Sequence, residues 1–213
     1  EKDPTFHVSV GNSRSMEYIE IEISSTNSSE THFIKSSNPK GRPKLVKKRE
    51  KDFLYSVEHD DDRLLILTNW KAQNFRLMTT DIDKTENKYN WKELIPHRKN
   101  ILLQSFLSFP KNIVVLERQE GLRRIRILNR KGKFEKLVTF RDPAYEAYFA
   151  ANPEYKAPEF YFGYSSLRTP DSIFSVELKN GKKKLLKQIE VKGKYEASRY
   201  TVKRLYIQGR DTT

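Results

Sequence analysis

The 213-residue chain contains no cysteine, which excludes a disulfide framework, a thiolate zinc site and a thiol nucleophile. It is compatible with a reducing compartment, and a cytoplasmic protein is expected. Long apolar runs are missing too: nothing approaches the roughly 20 residues a membrane helix needs, so no membrane partner is expected. The opening residues, EKDPTFHVSV, lack the basic start and apolar stretch of a signal peptide. No Met begins them, and upstream residues are expected to have been removed or left out. Only 8 Gly and 9 Pro are present, so tight turns must also draw on Asn, Asp, Ser and Lys. The four histidines, His7, His32, His59 and His97, form no H-x-x-x-H or H-E-x-x-H pair, which leaves metal ligation without support from spacing. GKFEK and NGKKK carry isolated glycines rather than a phosphate loop. No cofactor and no metal site are expected.

What is present points to a globular chain. Hydrophobic residues make up 36% and aromatics 12%, with 12 Phe and 11 Tyr, despite a charged content of 32%. The net charge of +13 is uneven. Eight Lys or Arg and a single acid, Glu50, lie between Lys35 and Lys51, and a second basic cluster comprises Lys182, Lys183, Lys184 and Lys187. Such runs fit a solvated hairpin edge that resists edge-to-edge pairing. They also fit a polyanion-binding surface, with Lys44, Lys47, Lys48 and Arg49 as contacts and Trp70 and Trp91 among the aromatics. The aromatics fall at strand positions, which favours the edge reading and makes nucleic acid the alternative partner.

Hydrophobicity alternates with period two in short runs. Tyr18 to Ile23 reads YIEIEI and puts Ile19, Ile21 and Ile23 on one face, the pattern of a half-buried strand. Similar runs are FHVSV from Phe6, FLYSV from Phe53, RLLILT from Arg63, FRLMT from Phe75 and ILLQSF from Ile101. Further along come NIVVLE from Asn112, RIRIL from Arg124, FEKLVT from Phe134, FYFGYS from Phe160, SIFSVEL from Ser172, KLLKQIE from Lys184 and KRLYI from Lys203. First strands at positions 6, 53, 101 and 160 give steps of 47, 48 and 59 residues. The long third step is attributed to an insertion, DPAYEAYFAANPEYKAP, with a short helical turn at its centre. Four-stranded units at about 40–50 residues are the mark of propeller blades. The expected fold is all-β: a partial β-propeller of four four-stranded antiparallel blades, near 5–48, 52–98, 101–140 and 158–207, followed by a linker at 208–213.

Several stretches, in order along the chain, resemble the prolyl oligopeptidase family in its oligopeptidase B (protease II) branch. They are EKDPTFHVSVGNSRS (Glu1–Ser15), YIEIEISST (Tyr18–Thr26), and DFLYSVEH, LLILTN and AQNFRLM within Asp52–Met78. They continue with WKELIPHR (Trp91–Arg98), VLERQEGLRRIRI (Val115–Ile127), ANPEY (Ala151–Tyr155), FGYSSLRTP (Phe162–Pro170) and LLKQIEVKGKYEASRYTVKRLYI (Leu185–Ile207). The resemblance implies the latter blades of a seven-bladed ring that caps an α/β-hydrolase domain in the same parent chain. It also implies a serine-type endopeptidase whose substrates are short peptides cut after Arg or Lys. RLYIQGRDTT would lead into the hydrolase domain, where the family usually continues with Asp-Gly-Thr; this chain has Asp211-Thr212-Thr213.

No catalytic residue is expected within the chain itself. Gly163-Tyr164-Ser165-Ser166-Leu167 is the nearest approach to a G-x-S-x-G nucleophile elbow, but it lacks the second Gly and lies in a strand pattern. Ser166, Thr169 and Pro170 are expected to form the bend between the first two strands of the fourth unit. His59 opens HDDDR, whose Asp60, Asp61 and Asp62 suit a tight turn better than a cation site. Glu117, Arg118, Glu120 and Arg124 surround the Gly121 turn. They are the candidate channel or interdomain charges, against the plainer reading of a local ion-pair network.

Overall fold

The computed structural model describes residues 1–210 as sixteen strands in four antiparallel sheets of four. Sheet 1 holds β1 (His7–Asn12), β2 (Tyr18–Ser24), β3 (Ser29–Lys35) and β4 (Lys44–Lys47). Sheet 2 holds β5 (Tyr55–Asp60), β6 (Arg63–Thr68), β7 (Arg76–Thr80) and β8 (Lys92–Ile95). Sheet 3 holds β9 (Ile101–Ser108), β10 (Asn112–Gln119), β11 (Leu122–Asn129) and β12 (Phe134–Val138). Sheet 4 holds β13 (Tyr145–Phe149), β14 (Glu159–Ser166), β15 (Ser172–Glu177) and β16 (Lys183–Gln188). Strand order within each sheet follows the chain. The only helical pieces among the described residues are two three-residue 3-10 turns, Lys88–Asn90 and Ala197–Arg199. The all-β, partial-propeller expectation therefore holds.

The sheets stack face to face in chain order, with an apolar layer between each neighbouring pair. Phe33 and Val46 of sheet 1 meet Tyr55, Leu64, Ile66 and Met78 of sheet 2. Leu65, Leu67, Leu77 and Ile95 on the other side of sheet 2 meet Leu103, Ile113, Val115 and Leu128 of sheet 3. Val114, Leu116, Ile125 and Ile127 then meet Phe160, Phe162, Tyr164 and Val176 of sheet 4. Because both faces of sheets 2 and 3 are covered, β6 and β10 read as continuous apolar runs, while β2 alternates, with Tyr18, Glu20 and Glu22 toward sheet 2 and Ile19, Ile21 and Ile23 on the opposite face. Each sheet also slips register between its third and fourth strands, at Thr31/His32, Leu77/Met78, Ile127/Leu128 and Ile173/Phe174. A bulge there adds twist and turns the outer strand away from its neighbours.

The fourth unit departs from the sequence reading. The expected insertion contains a strand, not a helical turn: Tyr145–Phe149 pairs along its length with Phe162–Ser166. Tyr145, Ala147 and Phe149 point into the core, and Glu146 and Tyr148 point away from it. Sheet 4 thus runs from Tyr145 to Gln188 rather than over 158–207, and Lys203–Ile207 belongs to no strand. With first strands at 7, 55, 101 and 145 the steps become 48, 46 and 44 residues, more even than the sequence suggested. Asp211, Thr212 and Thr213, the end of the expected linker, lie outside the described residues.

Candidate functional site

Antiparallel alternation sorts the connections to two opposite ends of the stack. At one end lie the β1–β2 and β5–β6 hairpins, the β9–β10 turn and the long β13–β14 loop. The β10–β11 hairpin, the bend after β14 and the segment from Ile189 onward lie at the other. The chemistry-bearing side chains of the chain gather at these ends.

At the second end, the β10–β11 hairpin is a two-residue turn with Glu120 at φ 50° and Gly121 at φ 77°. The four charges the sequence singled out around it do not form one network. Glu117 is buried between sheets 2 and 3, where Arg98 grips its carboxylate and Arg126 Nε lies 3.5 Å away. Arg118, Glu120 and Arg124 are exposed. Arg124 donates to Gln119, and the Glu120 carbonyl accepts from Arg204, which ties the C-terminal segment to the hairpin. Arg123 pairs with Glu146 of sheet 4.

The false nucleophile motif lies at the same end and has a different task. The Asp142 carboxylate accepts hydrogen bonds from Tyr164 Oη at 2.9 Å, Ser166 Oγ at 2.7 Å, Thr169 Oγ1 at 3.0 Å and Arg168 Nε at 2.6 Å. Ser166 Oγ also accepts from the backbone N–H groups of Arg168 and Thr169, which makes it the cap of the expected bend. Burial alone would raise the Asp142 pKa, but these four donors outweigh it and hold the group at about 2. The bend connects the second and third strands of its sheet, since β13 precedes them. The sequence carried no signal for Asp142 itself, which lies 22 residues before Tyr164.

The first end draws on all four sheets. Arg14, in the β1–β2 hairpin, donates from Nε to the Asn152 carbonyl at 2.8 Å, from Nη1 to the Ser108 carbonyl at 2.5 Å and from Nη2 to the Glu154 carbonyl at 3.1 Å. Its guanidinium carbon sits 4.7 Å from the Phe109 ring centre, and its own amide donates to Glu58 at 3.2 Å. Side chains of this length bridge sheets 1, 3 and 4 only if the first strands β1, β5, β9 and β13 lie on the inner side of the arc. Asp60, fully buried at the end of β5, accepts from Tyr155 Oη at 2.9 Å and from Arg63 Nε at 2.8 Å. Arg130 of sheet 3 reaches Asp60, Asp61 and Asp62, each within 3.4 Å. The Asp-rich stretch is thus a hairpin turn, with Asp61 at φ 64°, held by arginines. Among the described residues no group of three acidic or histidine side chains is arranged to hold a metal ion.

The histidines are scattered. His7 is exposed on β1, and His32 lies 2.9 Å from Glu30. His59 is buried, with Nδ1 2.8 Å from Ser15 Oγ and its ring packed against Tyr18. His97 Nε2 is buried without a partner. Of the polyanion contacts, Lys44 pairs with Asp83, Lys47 with Glu50 and Arg49 with Glu1, and Lys48 is exposed. Trp91 is buried, and Trp70 packs against it and Tyr89. The run is the edge strand β4 and its flanks, and the alternative nucleic-acid partner has no support.

Four like sheets with their first strands inward and their lysine-bearing fourth strands outward describe an arc of a propeller. Residues 1–189 match the family model described as prolyl oligopeptidase, N-terminal beta-propeller domain. The chain belongs to the prolyl oligopeptidase family. It is 33% identical to dipeptidyl aminopeptidase BI of Pseudoxanthomonas mexicana over 212 residues, 99% of this chain and 29% of that protein. It is 31% identical to protease 2 of Moraxella lacunata, over 99% of this chain and 30% of that protein. Oligopeptidase B from Trypanosoma brucei, solved in a closed form with covalently bound antipain, superposes on the whole chain with a TM-score of 0.87 at 27% identity, which uses 31% of that structure. The chain therefore spans about 30% of the length of these relatives, and residues 1–189 of it match the propeller domain.

Proposed function

We propose that this propeller arc serves a serine-type oligopeptidase, in which it packs on an α/β-hydrolase domain and restricts the peptides that reach the catalytic serine. The observation that carries the reading is the superposition of all four sheets, end to end, on the propeller of a peptidase. The exposed Arg118, Glu120 and Arg124 hairpin and the segment up to Arg210 form the surface that meets the hydrolase domain. Leu205, Tyr206 and Ile207 are each more than 75% exposed there, and docking removes their apolar surface from water. The likeness to oligopeptidase B favours short peptides cut after Arg or Lys.

The test is hydrolysis by the chain alone and by the chain in the protein that carries it. The propeller by itself is expected to leave an amino-terminally blocked Arg-Arg amide reporter intact. The parent is expected to cleave it, with activity lost on treatment with a serine-directed phosphonate. Hydrolysis by the isolated chain that disappears on Ser165→Ala or Ser166→Ala would overturn the proposal. Release of dipeptides from free amino termini, with the blocked reporter untouched, would leave the family intact and overturn the endopeptidase reading.

A further inference from the structure

ANPEY, Ala151–Tyr155, lies in the β13–β14 loop, and the stacking of the sheets does not require it. The loop has a rigid stem. The Asn152 side chain donates to the carbonyls of Ala150 at 2.7 Å and Tyr161 at 2.8 Å, and its Oδ1 accepts from the Tyr161 amide at 2.7 Å. From this stem the loop leaves sheet 4 and passes over the inner strand ends of its neighbours. Tyr155 reaches sheet 2, where its hydroxyl bonds to Asp60, and only 8% of the residue is exposed. The carbonyls of Asn152 and Glu154 reach the hairpin of sheet 1 through Arg14. Sheets 1 and 4 are the two extremes of the arc, so a loop rooted in one and fastened to the other spans the space between the first strands. In a propeller that space is the axial channel.

We propose that residues 150–158 are a strap across one mouth of the propeller channel, latched by Arg14 and Tyr155, and that the strap excludes longer peptides from that mouth. The proposal rests on the peptidase reading for its substrate, and on the hydrogen bonds alone for the strap. The latch consists mainly of one arginine satisfying three carbonyls, so it is strong when closed and lost in a single substitution. Backbone carbonyls as acceptors make it independent of most side-chain changes within the loop.

The experiment uses the parent protein that carries this chain, with Arg14→Ala, Arg14→Lys and Tyr155→Phe. Hydrogen exchange followed by mass spectrometry should show about tenfold faster exchange at the amides of 150–158 in Arg14→Ala, with the central strands β6, β10 and β14 unchanged. Tyr155→Phe keeps the packed ring and loses only the bond to Asp60, so it reports on the latch even if Arg14→Ala fails to fold. Faster exchange confined to the loop supports the strap. An unchanged loop, or a rise spread evenly over all sheets, overturns it. Turnover of a peptide of about 30 residues is expected to rise several-fold relative to a blocked dipeptide reporter when the latch is open. An opened loop without any change in that ratio overturns the exclusion of long peptides. A wild-type parent without peptidase activity overturns the functional reading, while the exchange data still decide the strap.

Discussion

At the scale of single residues, the charged groups with the largest effect are those buried away from the surface pairs. Asp142 holds four donors of the FGYSSLRTP stretch in one place, and removing its charge leaves Arg168 facing carbonyls and hydroxyls without a counter-ion. Breaking a buried pair from one side costs about 3–5 kcal/mol, so Asp142→Ala is expected to lower the urea midpoint markedly at pH 7. The pKa of about 2 also sets an acid limb. The group is depressed on folding, so its contribution is present above the ordinary carboxylate value and is lost as pH falls toward 2. Glu20 behaves in the opposite way. Burial, reinforced by Glu58 and Glu22, pushes it from the ordinary 4.5 up to about 8, and its Oε1 has no partner. The folded state then holds a proton that the unfolded chain releases, so stability falls as pH rises from about 5 to 8. Glu20→Gln is expected to raise the melting temperature at pH 8 and leave it nearly unchanged at pH 5, as thermal unfolding at the two pH values will show. Glu58, pushed to about 7 mainly by burial, has the same sign, and a residual pH slope in Glu20→Gln is assigned to it.

At the scale of elements, the strands visible in the sequence are those whose environment imposes a clear pattern. RLLILT and NIVVLE are buried on both faces, and YIEIEI sets its three isoleucines on one face, and each gives its strand to within a residue or two. Four strands were hidden. Ser29–Lys35 alternates small polar side chains with larger ones: Ser29 and Thr31 are buried against Tyr55, whose amide donates to Ser29 Oγ and whose hydroxyl accepts from the Thr31 amide. Lys44–Lys47 and Lys92–Ile95 are four-residue outer strands, too short for periodicity to register. Tyr145–Phe149 is disguised by Ala147 at its centre and by prolines on both sides. The convergence at the first end is not legible in the sequence: HDDDR reads as a turn, ANPEY and EKDPTFHVSVGNSRS only as stretches that resemble the family, and sequence spacing cannot show that the three meet. The partnership of β13 and β14 supplies a test. The Tyr148 ring lies over Gly163, where a Cβ would come within 2.1 Å of ring carbon, and the Tyr148 hydroxyl reaches Asp171. Gly163→Ala is expected to displace the ring and cost about 1–3 kcal/mol. Tyr148→Ala in the same background should recover part of that loss, a coupling that a double-mutant cycle measures.

At the scale of the whole molecule, the stack has two end faces that its own sheets do not cover. The registers of sheet 1 put Val8, Val10, Ile19, Ile21, Ile23, Ile34 and Leu45 together on the face turned away from sheet 2. Val8 is 51% and Val10 68% exposed. The far face of sheet 4 differs: Ile173 and Ser175 on it stand opposite Lys187 and Lys184 of β16, which is exposed along its whole length. Lys184 and Lys187 keep that face charged, whereas the apolar residues on the open face of sheet 1 have no lysine among them. Self-association of the isolated chain is therefore expected to proceed through sheet 1. Val10 and Ile21 are cross-strand partners at the middle of that face and touch neither Phe33 nor the apolar layer behind it. Replacing both with Lys places two like charges opposite each other, which opposes stacking of a second copy more than it disturbs the fold. Sedimentation velocity should show the wild-type chain shifting to larger species as concentration rises and Val10→Lys/Ile21→Lys remaining monomeric, with thermal unfolding little changed. Equal association by a chain carrying Ile173→Lys, on the far face of sheet 4, would keep sheet 1 as the contact. Monomeric behaviour of that control, with the sheet 1 variant still associating, would move the contact to sheet 4.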